Sequence, residues 1–126
     1  MKIVRFENLE VWQKARGLTR EVYQLTVSDR FSRDYGLREQ MRRASVSIMA
    51  NIAEGFSRKS DKEFSQFLFI AKSSAAELQS HAYVALDQGY VKESDFKNFY
   101  DDLDHTSRMI SNLIKHLAVR STRSTP

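Results

Sequence analysis

The chain has no cysteine, a single proline and four glycines among its 126 residues. Without thiols there is no disulfide framework, no thiolate metal site and no cysteine redox chemistry, and the absence suits a reducing compartment. With so little proline and glycine, almost nothing interrupts regular backbone structure, and the composition favours continuous helix. Long apolar runs are missing too. The opening MKIVRFENLEVW carries charges throughout and lacks the uninterrupted apolar stretch of a secretion signal or a membrane span. A cytoplasmic chain that uses no membrane is the expectation, and the length fits one domain.

What is present is a heptad pattern, repeated four times. Val11, Ala15, Leu18, Val22 and Leu25 form the first stripe, and Leu37, Met41, Ala44 and Ile48 form the second, whose next position is Asn51. The third runs Phe64, Leu68, Ala71, Ala75, Leu78, Ala82, Ala85, and the fourth runs Phe96, Phe99, Leu103, Thr106, Ile110, Leu113, Leu117. Alternating spacings of three and four keep one apolar seam turned toward neighbouring helices. No period-two strand pattern competes.

These stripes predict helices over 8–27, 37–54, 61–88 and 95–118. Ser60 and Glu63 have capping-box spacing, Ser94-Asp95 can cap the fourth helix, and Gly55 and Gly89 stand where helix ends favour a residue tolerant of positive φ. Short connections then make an all-α, antiparallel, up-down-up-down four-helix bundle spanning 1–118, followed by a polar, disordered tail at 119–126. The third helix, roughly 42 Å long at 1.5 Å per residue, should overhang the shorter first and second. It is also apolar nearly all round, so Phe67, Phe69 or Ile70 is expected to lie under another subunit.

Catalytic and metal chemistry find little support. His81, His105 and His116 have no second ligand at the four-residue spacing of a helical metal pair, and no Glu has a His three residues on, as di-iron bundles require. None of the serines sits in a Gly-x-Ser-x-Gly elbow, and there is no glycine-rich phosphate loop. Glu54 and Glu77 are the best candidates for paired carboxylates, but structural ion pairing with Arg38, Arg42 or Arg43 accounts for them as well. The reading is of no enzyme and no cofactor.

Charge is unevenly distributed. Residues 1–62 hold 13 Lys/Arg against 8 Asp/Glu, residues 63–114 hold 4 against 8, and residues 115–126 hold 3 against none. The basic half contributes Lys14, Arg16, Arg20, Arg38, Arg42, Arg58 and Lys59, a set that could meet RNA or DNA phosphates through counterion release. The alternatives are an ordinary solvated helix face, or pairing of this basic half with the acidic half of a second copy. Within QMRRASVSIMANIAEGFSRKS, Asn51 on the seam line reads as a device that fixes register. Arg42 and Arg43 lie about 100° apart on their helix, so one should pair with an acid inside the assembly while the other faces outward. Arg58 or Lys59 should answer the Glu54 carboxylate beside the helix C-terminus.

The segments FENLEVWQKA, GLREQMRRASVSIMANIAEGFSR, EFSQFLFIAKSSAAELQS and LDQGYV together resemble the 23S rRNA intervening-sequence proteins, a family of bacterial four-helix bundle proteins. The likeness covers about Phe6 to Leu117, and its most specific part is Arg42, Arg43, Asn51, Ile52, Ala53, Glu54 and Gly55. The resemblance implies an antiparallel bundle assembled as a barrel-shaped homopentamer. A related branch comprises accessory proteins of diversity-generating retroelements, and through it the resemblance implies binding of nucleic acid and of a reverse transcriptase. One departure is visible: a Phe-Pro pair common before the second helix is Phe31-Ser32 here.

Overall fold

The stripes read from the sequence become the buried faces of four long helices. A computed structural model describes residues 2–124, with side chains described through Ser121. A 3-10 turn at Phe6–Asn8 leads into α1 (Glu10–Leu25), and then come α2 (Asp29–Arg33), α3 (Tyr35–Phe56), α4 (Asp61–Asp87) and α5 (Glu93–Ser124). The described residues form no strand. α3 packs along α4, α4 along α5, and α1 against both α3 and α5.

All seven residues of the third stripe, Phe64 through Ala85, are buried in α4. On α1 the buried set is Val11, Ala15, Leu18 and Val22, with Leu25 partly covered. On α5 it is Phe99, Leu103, Thr106, Ile110 and Leu117, with Phe96 and Leu113 partly covered. Each buried hydroxyl is satisfied locally: Thr106 donates to the Asp102 carbonyl at 2.9 Å and Ser45 to the Arg42 carbonyl at 2.9 Å. A large side chain such as Ile48, Leu68 or Leu78, fully enclosed here, typically costs about 2–5 kcal/mol when cut to alanine.

The second stripe changes phase after Ile48. The seam continues through Ile52 and Gly55, both buried, and not through Asn51. Asn51 is half-buried on the α4 side, where its amide donates to the Ser47 carbonyl at 2.8 Å and to the Ser47 hydroxyl at 3.1 Å. Ser47 in turn shares a 2.9 Å hydrogen bond with Ser74 of α4. The Ser47–Ser74 pair is a polar link between α3 and α4, and it stands beside the core.

Helix ends follow the anticipated chemistry in part. The Ser60 hydroxyl accepts from the Glu63 amide at 3.1 Å, and the Glu63 carboxylate accepts from that hydroxyl at 3.3 Å, so the carboxylate does not reach back to the backbone. Gly89 has φ +72°, and with the bonds Gly89 N–H to Leu86 O and Tyr90 N–H to Ala85 O it closes α4 in a Schellman motif. Gly55 has no such backbone. It lies within α3, and a Cβ there would come 2.7 Å from Phe67 Cβ and 2.9 Å from Phe64 Cδ1. Its lack of a side chain serves close approach of α3 and α4.

Three boundaries differ from expectation. Residues 28–36 are not a plain loop but contain α2, whose Phe31 is fully buried and stacks on Tyr90 at 5.1 Å. Ser32 donates its amide to the Ser28 carbonyl at 2.7 Å, a bond that proline could not make, so the departure at Phe31-Ser32 is what lets this turn of helix close. α5 begins at Glu93, two residues before Asp95, with the Phe96 amide bonded to the Lys92 carbonyl, so Ser94 is inside the helix and not its cap. At its far end α5 continues past 118 to Ser124, correcting the expected irregular tail over that stretch; residues 125 and 126 lie outside the described residues. With 32 residues α5, at about 48 Å, and not α4, is the longest helix.

The two helical glycines with opposite surroundings give a direct check. Gly55→Ala should destabilise by about 1–3 kcal/mol through overpacking against Phe64 and Phe67. Gly17, where a Cβ would meet open space, should gain about 0.5–1 kcal/mol as alanine through helix propensity. Denaturant midpoints of the two variants read both signs.

Candidate functional site

The basic residues of the first half divide among four places. Arg16 and Arg20, one turn apart on α1, are both exposed. On α3 the Arg42 guanidinium reaches across to α1: its Nε donates to the Thr26 hydroxyl at 2.9 Å and its central carbon lies 4.5 Å from the centre of the Tyr23 ring. Arg16 lies 5.9 Å over Trp12 in the same manner. A cation so placed over a ring contributes about 0.5–1 kcal/mol at an exposed site and keeps its charge.

None of Arg16, Arg20, Arg42 or Arg43 forms an ion pair with a carboxylate among the described residues. Within its own chain neither of the two adjacent arginines has an acid partner among the described residues. Arg42 is tied to a hydroxyl and an aromatic face, and Arg43 faces solvent. Thr26 is fully buried and uses its own proton on the Val22 carbonyl at 2.8 Å, leaving its lone pair for Arg42.

The other candidates lie elsewhere. Lys14 is on the opposite side of α1, lining a groove of 250 Å³ with Glu21, Asp102 and His105. Burial, reinforced by Asp102 and Asp95, pushes the Glu21 carboxyl above the usual carboxylate range. Arg38 is structural: it bonds the Ser32 carbonyl at 2.9 Å and Glu39 at 3.2 Å, and lies over Tyr35, so it braces the α2–α3 joint. Arg58 and Lys59 belong to the α3–α4 turn. Arg58 answers Glu54 at 3.0 Å, as expected of a cation beside that helix end, and covers the ring of Phe67 at 4.7 Å. Glu77 pairs with His81 at 3.2 Å and does not share a space with Glu54.

Two interactions were invisible in the sequence. Arg120 grips Asp61 with both guanidinium nitrogens, at 2.9 and 2.6 Å, across 59 residues, and this holds the Asp61 carboxyl below the usual range. Tyr90 donates to Asp34 at 3.0 Å while Arg30 reaches the Gln88 carbonyl at 3.2 Å, clipping α2 onto the α4–α5 turn. No local spacing rule links such distant positions.

A third surface is apolar. Phe69 and Tyr83 are about half exposed on one flank of α4, and Ile70 and Val84 are similarly open on the other. Between them lie the exposed Ser73, Ala76, Glu77 and Ser80. From Phe64 to Leu86 the only Lys, Arg, Asp or Glu are Lys72 and Glu77, so the outer face of α4 is nearly uncharged. Among the described residues no group of three or more His, Cys, Asp or Glu is placed to hold a metal ion, and no helix is long and apolar enough to cross a membrane.

Residues 7–112 match the 23S rRNA-intervening sequence protein family. The chain belongs to that family. The matched span begins at the 3-10 turn, covers α1 to α4 and ends within α5. A solved structure with a similar fold is that of a protein with unknown function from the S23 ribosomal protein family from Bacteroides thetaiotaomicron VPI-5482, at TM-score 0.76 and 21% identity, covering 83% of this chain and 98% of that one. At that identity the likeness concerns the fold alone. Comparison with curated proteins gives no match. The family assignment agrees with the residues that carried the resemblance, Arg42 to Gly55.

The arginines separate by role in stability measurements. Arg42→Ala should cost about 1 kcal/mol, since it strips a buried hydroxyl of its donor, whereas Arg20→Ala should stay within about 0.5 kcal/mol. The carboxylates carry opposite signs in pH. Asp61, with a depressed folded pKa, stabilises above the ordinary carboxylate range, and that contribution is lost as pH falls through about 4 and below. Glu21, with a raised folded pKa, opposes folding while charged, so Glu21→Gln should raise the melting temperature at pH 7 and leave it unchanged once both states are protonated below about pH 4. Thermal melts of parent and variant across pH read the difference.

Proposed function

We propose that this member of the 23S rRNA-intervening sequence protein family is a non-enzymatic, cytoplasmic homo-oligomer that binds RNA or DNA through the α1–α3 face. The observation that carries the reading is the set Arg16, Arg20 and Arg42: three cations of α1 and α3 without a carboxylate partner among the described residues, two of them lying over Trp12 and Tyr23. Fixed, unneutralised guanidinium groups suit phosphate, which they meet without first giving up an internal ion pair. Arg43 on the solvent side of α3 extends the same charge.

The assembly we infer is an antiparallel four-helix bundle repeated in a ring, with five copies as the family resemblance implies. Short connections at 57–60 and 88–92 support antiparallel neighbours. The uncharged outer face of α4, with Phe69, Ile70, Tyr83 and Val84 open to water, supports contact with further copies, because such a stripe is costly to leave wet. Repetition of the α1–α3 face around a ring would sum several weak phosphate contacts into useful affinity.

The same α4 face supports a second reading, a scaffold that joins copies to another protein such as a reverse transcriptase. The two separate by experiment. For nucleic-acid binding, the logarithm of affinity for an RNA oligonucleotide should fall linearly with the logarithm of salt, and Arg16→Glu with Arg20→Glu should reduce the slope by about 0.7–0.9 for each phosphate that the variant no longer neutralises. An unchanged slope, or no binding at low salt, rejects it and leaves the scaffold. Phe69→Lys with Tyr83→Lys should lower the solution mass measured by light scattering while helicity is kept; an unchanged mass rejects the α4 interface.

A further inference from the structure

At the end of the molecule where Asp61 meets Arg120, five segments converge on a cleft of 630 Å³. The N-terminal residues Lys2 and Ile3 pass over it, Phe56 closes α3 beside it, Lys59 stands in the turn, and Leu113 and Arg120 of α5 form the far wall. Its size is that of small-molecule sites, which fall at about 300–1,000 Å³. Its chemistry is divided. The floor is apolar, and Leu9, Phe56 and Leu113 are covered by the protein only in part although they pack against the core. The rim is cationic: Lys2, Arg58, Lys59 and Arg120 line the cleft against one acid, Asp61.

That acid is already taken, because both of its oxygens accept from Arg120. Arg58 is held by Glu54 and by the Phe67 ring. Lys2 and Lys59 have no acceptor among the described residues, and they stand at a cleft whose interior offers apolar contact. A ligand that satisfies both features has a negative head and an apolar body, since a simple anion would leave the floor wet and a neutral apolar molecule would leave the ammonium groups unanswered.

We propose that this end cleft is a binding site for an amphipathic anion, an apolar body carrying one phosphate, sulfonate or carboxylate head, with the head at Lys2 and Lys59 and the body on Leu9, Phe56 and Leu113. The site is separate from the α1–α3 face and does not rest on nucleic-acid binding there. It also gives Lys59 a role distinct from that of Arg16 and Arg20.

The probe is 1-anilinonaphthalene-8-sulfonate, an aromatic body with one sulfonate, titrated into the full chain by fluorescence. Saturable binding of one dye per chain is expected, weakened about tenfold or more by Lys2→Glu with Lys59→Glu and also by Ile3→Asp, all exposed positions whose exchange leaves the core intact. Phe69→Ser and the pair Arg16→Glu with Arg20→Glu should leave it unchanged. Parent-like affinity in the Lys2/Lys59 variant, or loss of the dye in Phe69→Ser, overturns the proposal. Displacement arms then name the source: competition by adenosine 5′-monophosphate supports a phosphorylated aromatic ligand, and competition by decanoate supports an acyl carboxylate. Competition by inorganic phosphate as strong as either, or by none of the three, overturns it.

Discussion

The closeness of α3 to α4 is the constraint on which the remaining structure depends. At Gly55 there is no room for even one methyl group between α3 and the Phe64 and Phe67 side chains. Further along α4 the buried positions are mostly Ala71, Ala75, Ala82 and Ala85, residues small enough to let neighbouring backbones approach. The tight pair sets the position of the turn that carries Arg58 and Lys59, and with it the edge of the end cleft. It also leaves the larger side chains of α4, Phe69, Ile70, Tyr83 and Val84, nowhere to go but outward.

Charge is handled by the same economy of space. Two arginines of α1 and α3 have no acid partner among the described residues and lie over rings instead, Arg16 on Trp12 and Arg42 on Tyr23, while Arg38 has both the Tyr35 ring and the Glu39 carboxylate. An aromatic partner orients a guanidinium without cancelling its charge, whereas an ion pair does both. Several acids lie on α5, and on the α1 flank facing it burial, reinforced by Asp102 and Asp95, raises the proton affinity of Glu21. Lys14 stands on that acidic flank too, lining a groove with Glu21 and Asp102, and the net charge of the chain is +4.

The regular parts of this arrangement are legible in the sequence because helix periodicity is a local property. Every residue of the α4 stripe is buried as its spacing predicts, and Gly89 takes the positive φ its place at a helix end demands. Expectation and structure part where three-dimensional proximity overrides local pattern. Asn51 has the right spacing for the seam, but the phase shifts to Ile52, and Gly55 is explained by its neighbours on α4 and not by its own backbone. Phe31 escapes notice in the sequence because a run of polar residues conceals a single buried ring whose partner, Tyr90, lies far along the chain. The candidate site is legible as a set of cations but not as a surface: which of them share a flank, and which already have partners, depends on how α1 meets α3. The end cleft is not legible at all, because its walls come from five separated segments.

The clip of α2 onto the α4–α5 turn bears on how the chain finds its fold. Tyr90 to Asp34 and Arg30 to Gln88 span 56 and 58 residues, and Arg120 to Asp61 spans 59. α3 and α4, joined by a four-residue connection, close a far smaller loop, and loop entropy favours such contacts between near neighbours in sequence. The long-span contacts close much larger loops. They lie near the two ends of α4, one set by its N-terminal Asp61 and the other by the turn that follows it, so the costlier loop closures are shared between its opposite ends.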